Sequence, residues 1–233
     1  MKKLQTTVAV AAMLLGFGMT AQAKDTSEEM RDVASFSEVQ LNGSMDLEVT
    51  VGGSQSVKVI ADSDIMSHIE TEVRGDTLRV GLDNGHSHRN IKMMRVIVTV
   101  PELRGAGLRG SGDLHVTAAA ADDFDLGLQG SGDVFFRKAK FGKLKIELQG
   151  SGDIDMEGTC DDLDIELQGS GDIDAGDLKC NTAEVDLRGS GDIEFFASQS
   201  ADVGVHGSGD VVVRGEPAKL NSRVRGSGDI VVR

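Results

Sequence analysis

Gly150-Ser151-Gly152-Asp153 is one of seven copies of a four-residue sequence that recurs through the second half of this 233-residue chain. Successive copies start 18 to 20 residues apart. Self-similarity at such a period is typical of a solenoid, in which each repeat forms one coil stacked on the one before it. The copies begin at Gly110, Gly130, Gly150, Gly169, Gly189, Gly207 and Gly226.

The residues between two copies alternate between apolar and polar. Leu163-Asp164-Ile165-Glu166-Leu167 shows the pattern, with aliphatic residues on one face and acids on the other. Alternation with a period of two predicts a half-buried β-strand. Because one coil cannot bury its apolar face alone, stacked coils must supply the core. We therefore predict an all-β fold, a β-solenoid with about 19–20 residues per coil.

The amino terminus has the three parts of a secretory signal peptide. A basic start, Met1-Lys2-Lys3, precedes an apolar run too short to span a bilayer, and small residues follow at Ala21-Gln22-Ala23. We expect cleavage between Ala23 and Lys24 and export to the periplasm, or to the cell surface or extracellular space, of a Gram-negative bacterium. Residues 1–23 are then the signal peptide, and no membrane-spanning segment is expected in the mature chain.

After the signal, residues 24–32 are polar and are expected to form a loose linker. A single domain is predicted over residues 33–233, with an entry region of strands and hairpins at 33–103 and the repeat array at 104–233. Gly52-Gly53 and Gly75-Asp76 are hairpin-type turns. Residues 62–69 read as a short helix that Asp62 or Ser63 could cap.

The chain is acidic, with 38 Asp and Glu against 24 Lys and Arg, which gives a formal charge of −14. Cleavage after Ala23 removes two lysines and no acid, which makes the mature charge −16. Such a surface repels nucleic acid and anionic lipid and attracts divalent cations or basic surfaces. We therefore expect no nucleic-acid partner.

The two cysteines occupy equivalent places in consecutive repeats. Cys160 and Cys180 each lie nine residues before the next Gly-Ser-Gly-Asp. Stacked strands lie about 4.8 Å apart, which is within the Cα–Cα range of a disulfide, and exported proteins meet oxidising conditions. We predict a Cys160–Cys180 bridge between two coils. The alternative is a pair of buried free thiols.

Several stretches resemble a known family. The repeated Gly-Ser-Gly-Asp, the strand ending Val100-Pro101-Glu102-Leu103, and the entry Phe36-x-x-Val39-x-Leu41-x-Gly43 are similar to the exported bacterial proteins called the "putative auto-transporter adhesin, head GIN domain" family. The resemblance covers roughly residues 33–233. It implies a right-handed parallel β-helix-like fold, and it brings no catalytic residues with it.

The aspartates and serines of the repeat are expected to stack along one edge of the solenoid. Their carboxylates would lie about 4.8 Å apart and repel one another unless something compensates. The structural interpretation is that they accept backbone N–H bonds across the tight glycine corner. The functional interpretation is a calcium-binding edge, since oxygen ligands suit Ca²⁺. The residues are Asp113, Asp133, Asp153, Asp172, Asp192, Asp210 and Asp229, with Ser111, Ser131, Ser151, Ser170, Ser190, Ser208 and Ser227.

Catalytic features are sparse. β-Helices host polysaccharide lyases and hydrolases, which need a distinct carboxylate pair in a groove, whereas the repeat spreads its acids evenly. His86 and His88 lack a third metal ligand in view. We predict no catalytic residues, no metal site and no cofactor apart from the calcium alternative.

The sequence thus favours an exported, non-catalytic β-solenoid that binds or adheres, or serves as a structural protein of the cell envelope. The alternatives are a β-helix carbohydrate-active enzyme and a calcium-stabilised surface protein. A glycan or an envelope component is the expected partner. The last coil, Ile230-Val231-Val232-Arg233, would expose a strand edge. Either the amino-terminal strands fold over it, or another copy pairs with it to form a homo-oligomer.

Overall fold

The computed structural model of the chain describes residues 25–83 and 91–233, and most of these residues lie in β-strands. One turn of 3-10 helix, Met66–His68, interrupts them. The predicted signal peptide, its cleavage point at Ala23 and Lys24, and His86 and His88 lie outside the described residues. The strands are β1 (Thr26–Arg31), β2 (Glu38–Gly43), β3 (Asp46–Val51), β4 (Ser56–Asp62), β5 (Ile69–Arg74), β6 (Thr77–Leu82), β7 (Met94–Val100), β8 (Gly105–Gly110), β9 (Leu114–Thr117), β10 (Ala120–Gly130), β11 (Val134–Gly150), β12 (Ile154–Gly169), β13 (Ile173–Gly189), β14 (Ile193–Gly207), β15 (Val211–Arg214), β16 (Lys219–Gly226) and β17 (Ile230–Val232).

Each repeat contributes one segment to each of two sheets. Segments that lead into a glycine corner form the long sheet, in the order β5, β6, β2, β8, β10, the ends of β11 to β14, and β16. Segments that leave the corner form the short sheet, in the order β1, β4, β7, β3, β9, the starts of β11 to β14, β15 and β17. From β2 and β3 onward the strands are parallel and in phase. The predicted β-solenoid is confirmed.

The glycines of the repeat make the corner possible. Gly150 has a φ of +141°, which a residue with a Cβ rarely adopts. Ser151 N–H and Gly152 N–H both donate to the carbonyl of Gly130 in the coil before, at 2.9 and 3.2 Å. A Cβ on Gly152 would overlap the backbone carbonyl of Gly132. The corners therefore stack backbone on backbone.

The core lies between the two sheets and consists of columns of aliphatic side chains. One column is fully buried over successive coils. The residues of this column follow from the in-phase register, because side chains at the same position in each repeat point into the same interior. The column contains Leu108, Leu128, Leu148, Leu167, Leu187 and Val205.

The entry region differs from the prediction in its pairing. β3 pairs in parallel with β7 on one edge and with β9 on the other, so it has no edge left for β4. β4 instead pairs antiparallel with β7. The hairpin predicted at Gly52-Gly53 is therefore wrong, whereas the one at Gly75-Asp76 is confirmed by the antiparallel β5–β6 pair.

The structure modifies two smaller predictions in this region. The residues expected as a loose linker, 24–32, contain β1, which pairs antiparallel with β4 from Thr26 to Arg31. The helix is a single 3-10 turn without a side-chain cap. The two candidate caps make other contacts: Oδ2 of Asp62 accepts a hydrogen bond from the N–H of Lys92 at 2.9 Å, and Oγ of Ser63 donates to the carbonyl of Asp25 at 2.8 Å.

The amino-terminal strands also do not fold over the last coil. β1 and β5 lie at one end of the two sheets, and β16 and β17 lie at the other end. The first of the two expected arrangements for the terminal coil is therefore wrong for the part of the chain that the structure describes.

Candidate binding faces

The repeat aspartates form a continuous hydrogen-bonded ladder. The backbone N–H of each aspartate donates to Oδ1 of the aspartate one coil earlier, over distances of 2.8 to 3.3 Å. The chain of bonds begins with Asp133 donating to Asp113 and ends with Asp229 donating to Asp210. The carboxylates thus accept a backbone N–H, as the structural interpretation expects, but from the next coil and not from their own corner.

The serines lie beside this ladder with their side chains exposed. Their backbone N–H groups donate to the first glycine of the preceding corner, as Ser170 does to Gly150 at 2.9 Å. Within residues 25–83 and 91–233, no three His, Cys, Asp or Glu side chains gather in an arrangement that could hold a metal ion. Whether the edge binds cations stays a prediction.

The predicted disulfide joins two neighbouring coils. Cys160 is opposite Cys180 in the register of β12 and β13, with a Cα–Cα distance of 4.5 Å. Both side chains are buried. The bridge joins the two coils covalently. It lies between the part of β12 and β13 that belongs to the short sheet and the part that belongs to the long sheet.

The long sheet carries a groove on its outer face. It has a volume of about 400 Å³ and crosses the coils from Lys143 to Asn221. The buried residues beneath its centre are small, Ala183 and Ala201, where earlier coils have leucine. Its polar lining consists of Lys143, Asp162, Asp164, Thr182, Glu184, Ser200, Asp202, Lys219 and Asn221.

The groove combines hydrogen-bond acceptors and donors in stacked rows. Thr182 donates to Asp162, and Asn221 donates to Asp202 at 3.4 Å. Beside it, Lys145 pairs with Glu147 at 2.6 Å, and this contact raises the pKa of the lysine. From the sequence, these acids were predicted only as the outward side of the strands. The signal that could have revealed the groove is the pair of alanines, Ala183 and Ala201, at consecutive places of a buried column that holds leucine in the two coils before.

The short sheet has a different outer face. Arg137 forms a bidentate ion pair with Asp155, at 2.8 Å to each carboxylate oxygen. This contact raises the pKa of the guanidinium. The rings of His115 and Phe135 stack with centroids 4.7 Å apart. Of these two rings, His115 is exposed and Phe135 is half-buried.

In the described part of the chain, no helix has the length and apolar character needed to cross a membrane.

Comparison with known proteins identifies a family. Residues 35–217 match the family described as "Putative auto-transporter adhesin, head GIN domain". A "putative adhesin" from Bacteroides fragilis is 27% identical, with a TM-score of 0.87 over 91% of this chain and 98% of that one. No functionally curated protein matches this chain.

Two further solved structures share the fold. A "putative lipid binding protein" from Parabacteroides distasonis is 23% identical, with a TM-score of 0.72 over 90% of this chain and 97% of that one. A "putative adhesin" from the same species is 20% identical, with a TM-score of 0.69 over the same shares of the two chains.

Proposed function

The chain belongs to the "putative auto-transporter adhesin, head GIN domain" family, and from this premise we propose that it is an exported, non-catalytic binding module of the cell envelope. Its ligand is a hydroxyl-rich polymer such as an envelope glycan, held against the outer face of the long sheet. The family name and the disulfide support a site of action outside the cytoplasm.

The groove on the long sheet is the observation that carries this proposal. Carboxylates, hydroxyls, an amide and ammonium groups line it in rows one coil apart. Sugar hydroxyls both donate and accept hydrogen bonds, so they match a surface that offers both kinds of partner. A polymer lying along the solenoid axis would meet the same kinds of groups at each coil, which suits adhesion through many weak contacts.

The arrangement of the acids favours binding over hydrolysis. Glycoside hydrolases need an acid and a second carboxylate in different environments, so that one is protonated and the other ionised. The groove acids Asp164, Glu184 and Asp202 occupy the same outward position in three successive coils and are all partly or fully exposed. Their equivalent surroundings do not single out one of them as the acid and another as the second carboxylate of a hydrolase.

One structural neighbour is named a "putative lipid binding protein", which suggests lipid as a second ligand class. The interior between the sheets is filled by side chains such as Leu148, Ile165 and Val185. An acyl chain would therefore have to lie on the outside, against an acidic surface that repels anionic headgroups.

Co-sedimentation tests the proposal. The chain from residue 24 onward, with its disulfide intact, is mixed with insoluble cell-wall glycan and separately with lipid vesicles. We expect retention by the glycan and none by the vesicles. A groove variant with Asp164→Asn, Glu184→Gln and Asp202→Asn should lose most of this retention, because the carboxylates that accept sugar hydroxyls become weaker acceptors.

The matched control removes the same number of charges outside the groove, through Glu102→Gln, Glu157→Gln and Asp177→Asn. It should bind like the unmodified chain. Equal loss in both variants would mean that net charge, not the groove, governs binding. Release of soluble sugar fragments by the unmodified chain, abolished in the groove variant, would overturn the non-catalytic assignment in favour of the enzyme.

A further inference from the structure

In the part of the chain that the structure describes, the two ends of the solenoid present unpaired strand edges. Within the described residues, β16 and β17 each pair along one edge only, and so do β1 and β5 at the opposite end. An unpaired edge offers a row of N–H and C=O groups that can accept another strand.

The carboxy-terminal end is also apolar. Val224 and Val232 point into the interior and are 43% and 46% exposed. Their counterparts one coil earlier, Val205 and Val213, are completely buried. Among residues 25–83 and 91–233, no further layer therefore covers the interior side of β16 and β17, whereas the coil before them is covered.

The outer face of the long sheet carries opposite charges at its two ends, in the same column. Glu72 on β5 is opposite Arg79, which is opposite Gln40 on β2. The column then continues coil by coil to Arg223 on β16. Glu70 and Arg225 share the neighbouring outward column. Each lies two residues nearer the corner than Glu72 and Arg223, respectively.

The outer face of the short sheet carries an apolar residue at each end, again in one column. Met30 on β1 is opposite Lys58, and the register leads from there through Ile97 and Glu48 to Val231 on β17. Met30 is 62% exposed and Val231 is 41% exposed. Both are among the few large apolar side chains on the surface.

We propose that the carboxy-terminal end of the solenoid docks on the amino-terminal end of a second copy, so that chains associate head to tail. A copy displaced along the solenoid axis brings Arg223 and Arg225 to Glu72 and Glu70, and brings Val231 to Met30. This association is independent of the groove and of the proposed binding function.

Strand direction and charge fit this arrangement. β5 runs antiparallel to β16, and β1 runs parallel to β17, so both edges pair in a regular way. The terminal segment 211–233 carries five basic and two acidic residues in a chain of formal charge −14. Opposite charges at the two ends steer the encounter and fix its register.

The interior contacts are partly apolar. Val224 faces Thr71 in the shared register, whereas Val232 faces Arg31. The guanidinium of Arg31 is already held by Glu29 at 3.2 Å and by the carbonyl of Met66 at 2.9 Å, so the contact with the valine falls to its aliphatic part. Because the interface joins two different ends, each addition leaves a new free end, and the assembly grows as a filament.

Sedimentation velocity and negative-stain electron microscopy of the mature chain test the proposal. We expect species that grow with protein concentration and linear particles one solenoid wide. Raising the ionic strength from about 0.05 to 0.5 M should weaken the association at least about tenfold, because salt screens the end charges. A chain that remains a monomer at high concentration and low salt overturns the proposal.

Charge reversal at each end distinguishes head-to-tail association from other modes. Arg223→Glu with Arg225→Glu, and Glu70→Lys with Glu72→Lys, should each abolish association alone. Their equimolar mixture should associate again, because every end then meets an end of opposite charge. If the Glu70→Lys, Glu72→Lys variant alone associates like the unmodified chain, the amino-terminal end is not part of the interface.

Two further variants guard against misfolding and nonspecific charge effects. Asp125→Lys reverses an exposed charge in the middle of the long sheet and should associate at least as well as the unmodified chain. Val231→Lys changes an exposed side chain that the fold does not need and should weaken association while leaving the melting temperature unchanged. Normal association of Val231→Lys contradicts the predicted contact with Met30.

Discussion

The backbone N–H of Asp153 donates a hydrogen bond to Oδ1 of Asp133, one coil earlier, at an N–O distance of 3.0 Å. The same bond recurs along the ladder, so each carboxylate from Asp113 to Asp210 accepts a donor from the next coil, which offsets the repulsion of its like-charged neighbours. A row of stacked acids is therefore compatible with a stable fold without any bound cation.

Two substitutions of Asp153 separate its hydrogen bond from its charge. Asp153→Ala leaves the N–H of Asp172 without its acceptor, and we expect a loss of about 1 kcal/mol. For a chain of this size the melting temperature should fall by about 2–4 °C. Asp153→Asn keeps Oδ1 and removes one charge from a repulsive row, so its melting temperature should equal or exceed that of the unmodified chain.

Thermal unfolding followed by circular dichroism gives both values. An asparagine variant as unstable as the alanine variant would mean that the charge itself is required, as a cation-binding edge demands.

Calcium provides a second test of the ladder. Because a backbone donor already occupies Oδ1 from Asp113 to Asp210, we expect the same melting temperature with millimolar Ca²⁺ and with a chelator. A cation present at 100 times its dissociation constant would stabilise the fold by about 2.7 kcal/mol. A calcium-dependent rise of several degrees would therefore contradict this expectation, and Asp153→Asn should then reduce the rise.

The repeat array was predictable because its information is periodic. Residues at the same offset in each repeat meet in the same column, so the in-phase positions of Cys160 and Cys180, together with the expected export, predicted their bridge. The same kind of corner also occurs before the first copy of the repeat, at Gly43. Gly43 stacks directly on the corner at Gly110, where the N–H groups of Ser111 and Gly112 donate to its carbonyl.

The entry region was less predictable because the partner of a strand is a non-local property. β3 and β4 alternate as a hairpin should, yet β7, which lies more than 30 residues further along the chain, occupies the edge of β3. The groove on the long sheet escaped prediction for a related reason. Its depth depends on Ala183 and Ala201 lying side by side in neighbouring coils, which no single repeat reveals.

The glycine corner can be tested with a pair of matched alanine substitutions. In Gly152→Ala the new Cβ overlaps the backbone carbonyl of Gly132, and neither group can move without breaking the stacked corners. We expect a loss of about 3 kcal/mol or more. In Gly127→Ala nothing lies within 4 Å of the new Cβ, so its stability should be unchanged or higher by up to about 1 kcal/mol.

Urea unfolding of both variants measures the difference. Equal midpoints would show that the corner has room for a side chain, and the close backbone stacking would then not explain the repeated glycine.

The Cys160–Cys180 bridge should contribute strongly to stability. It closes a segment of 20 residues in the unfolded chain while joining two coils whose Cα atoms lie 4.5 Å apart in the folded one. Replacing both cysteines with alanine should cost about 2–4 kcal/mol, because the unfolded chain regains the freedom that the bridge removes. Thermal unfolding with and without a reductant measures this: reductant should lower the melting temperature of the unmodified chain towards that of the alanine variant and leave the variant itself unchanged. Two free thiols by mass analysis of protein exported into an oxidising compartment, or an alanine variant as stable as the oxidised chain, would contradict a structural role for the bridge.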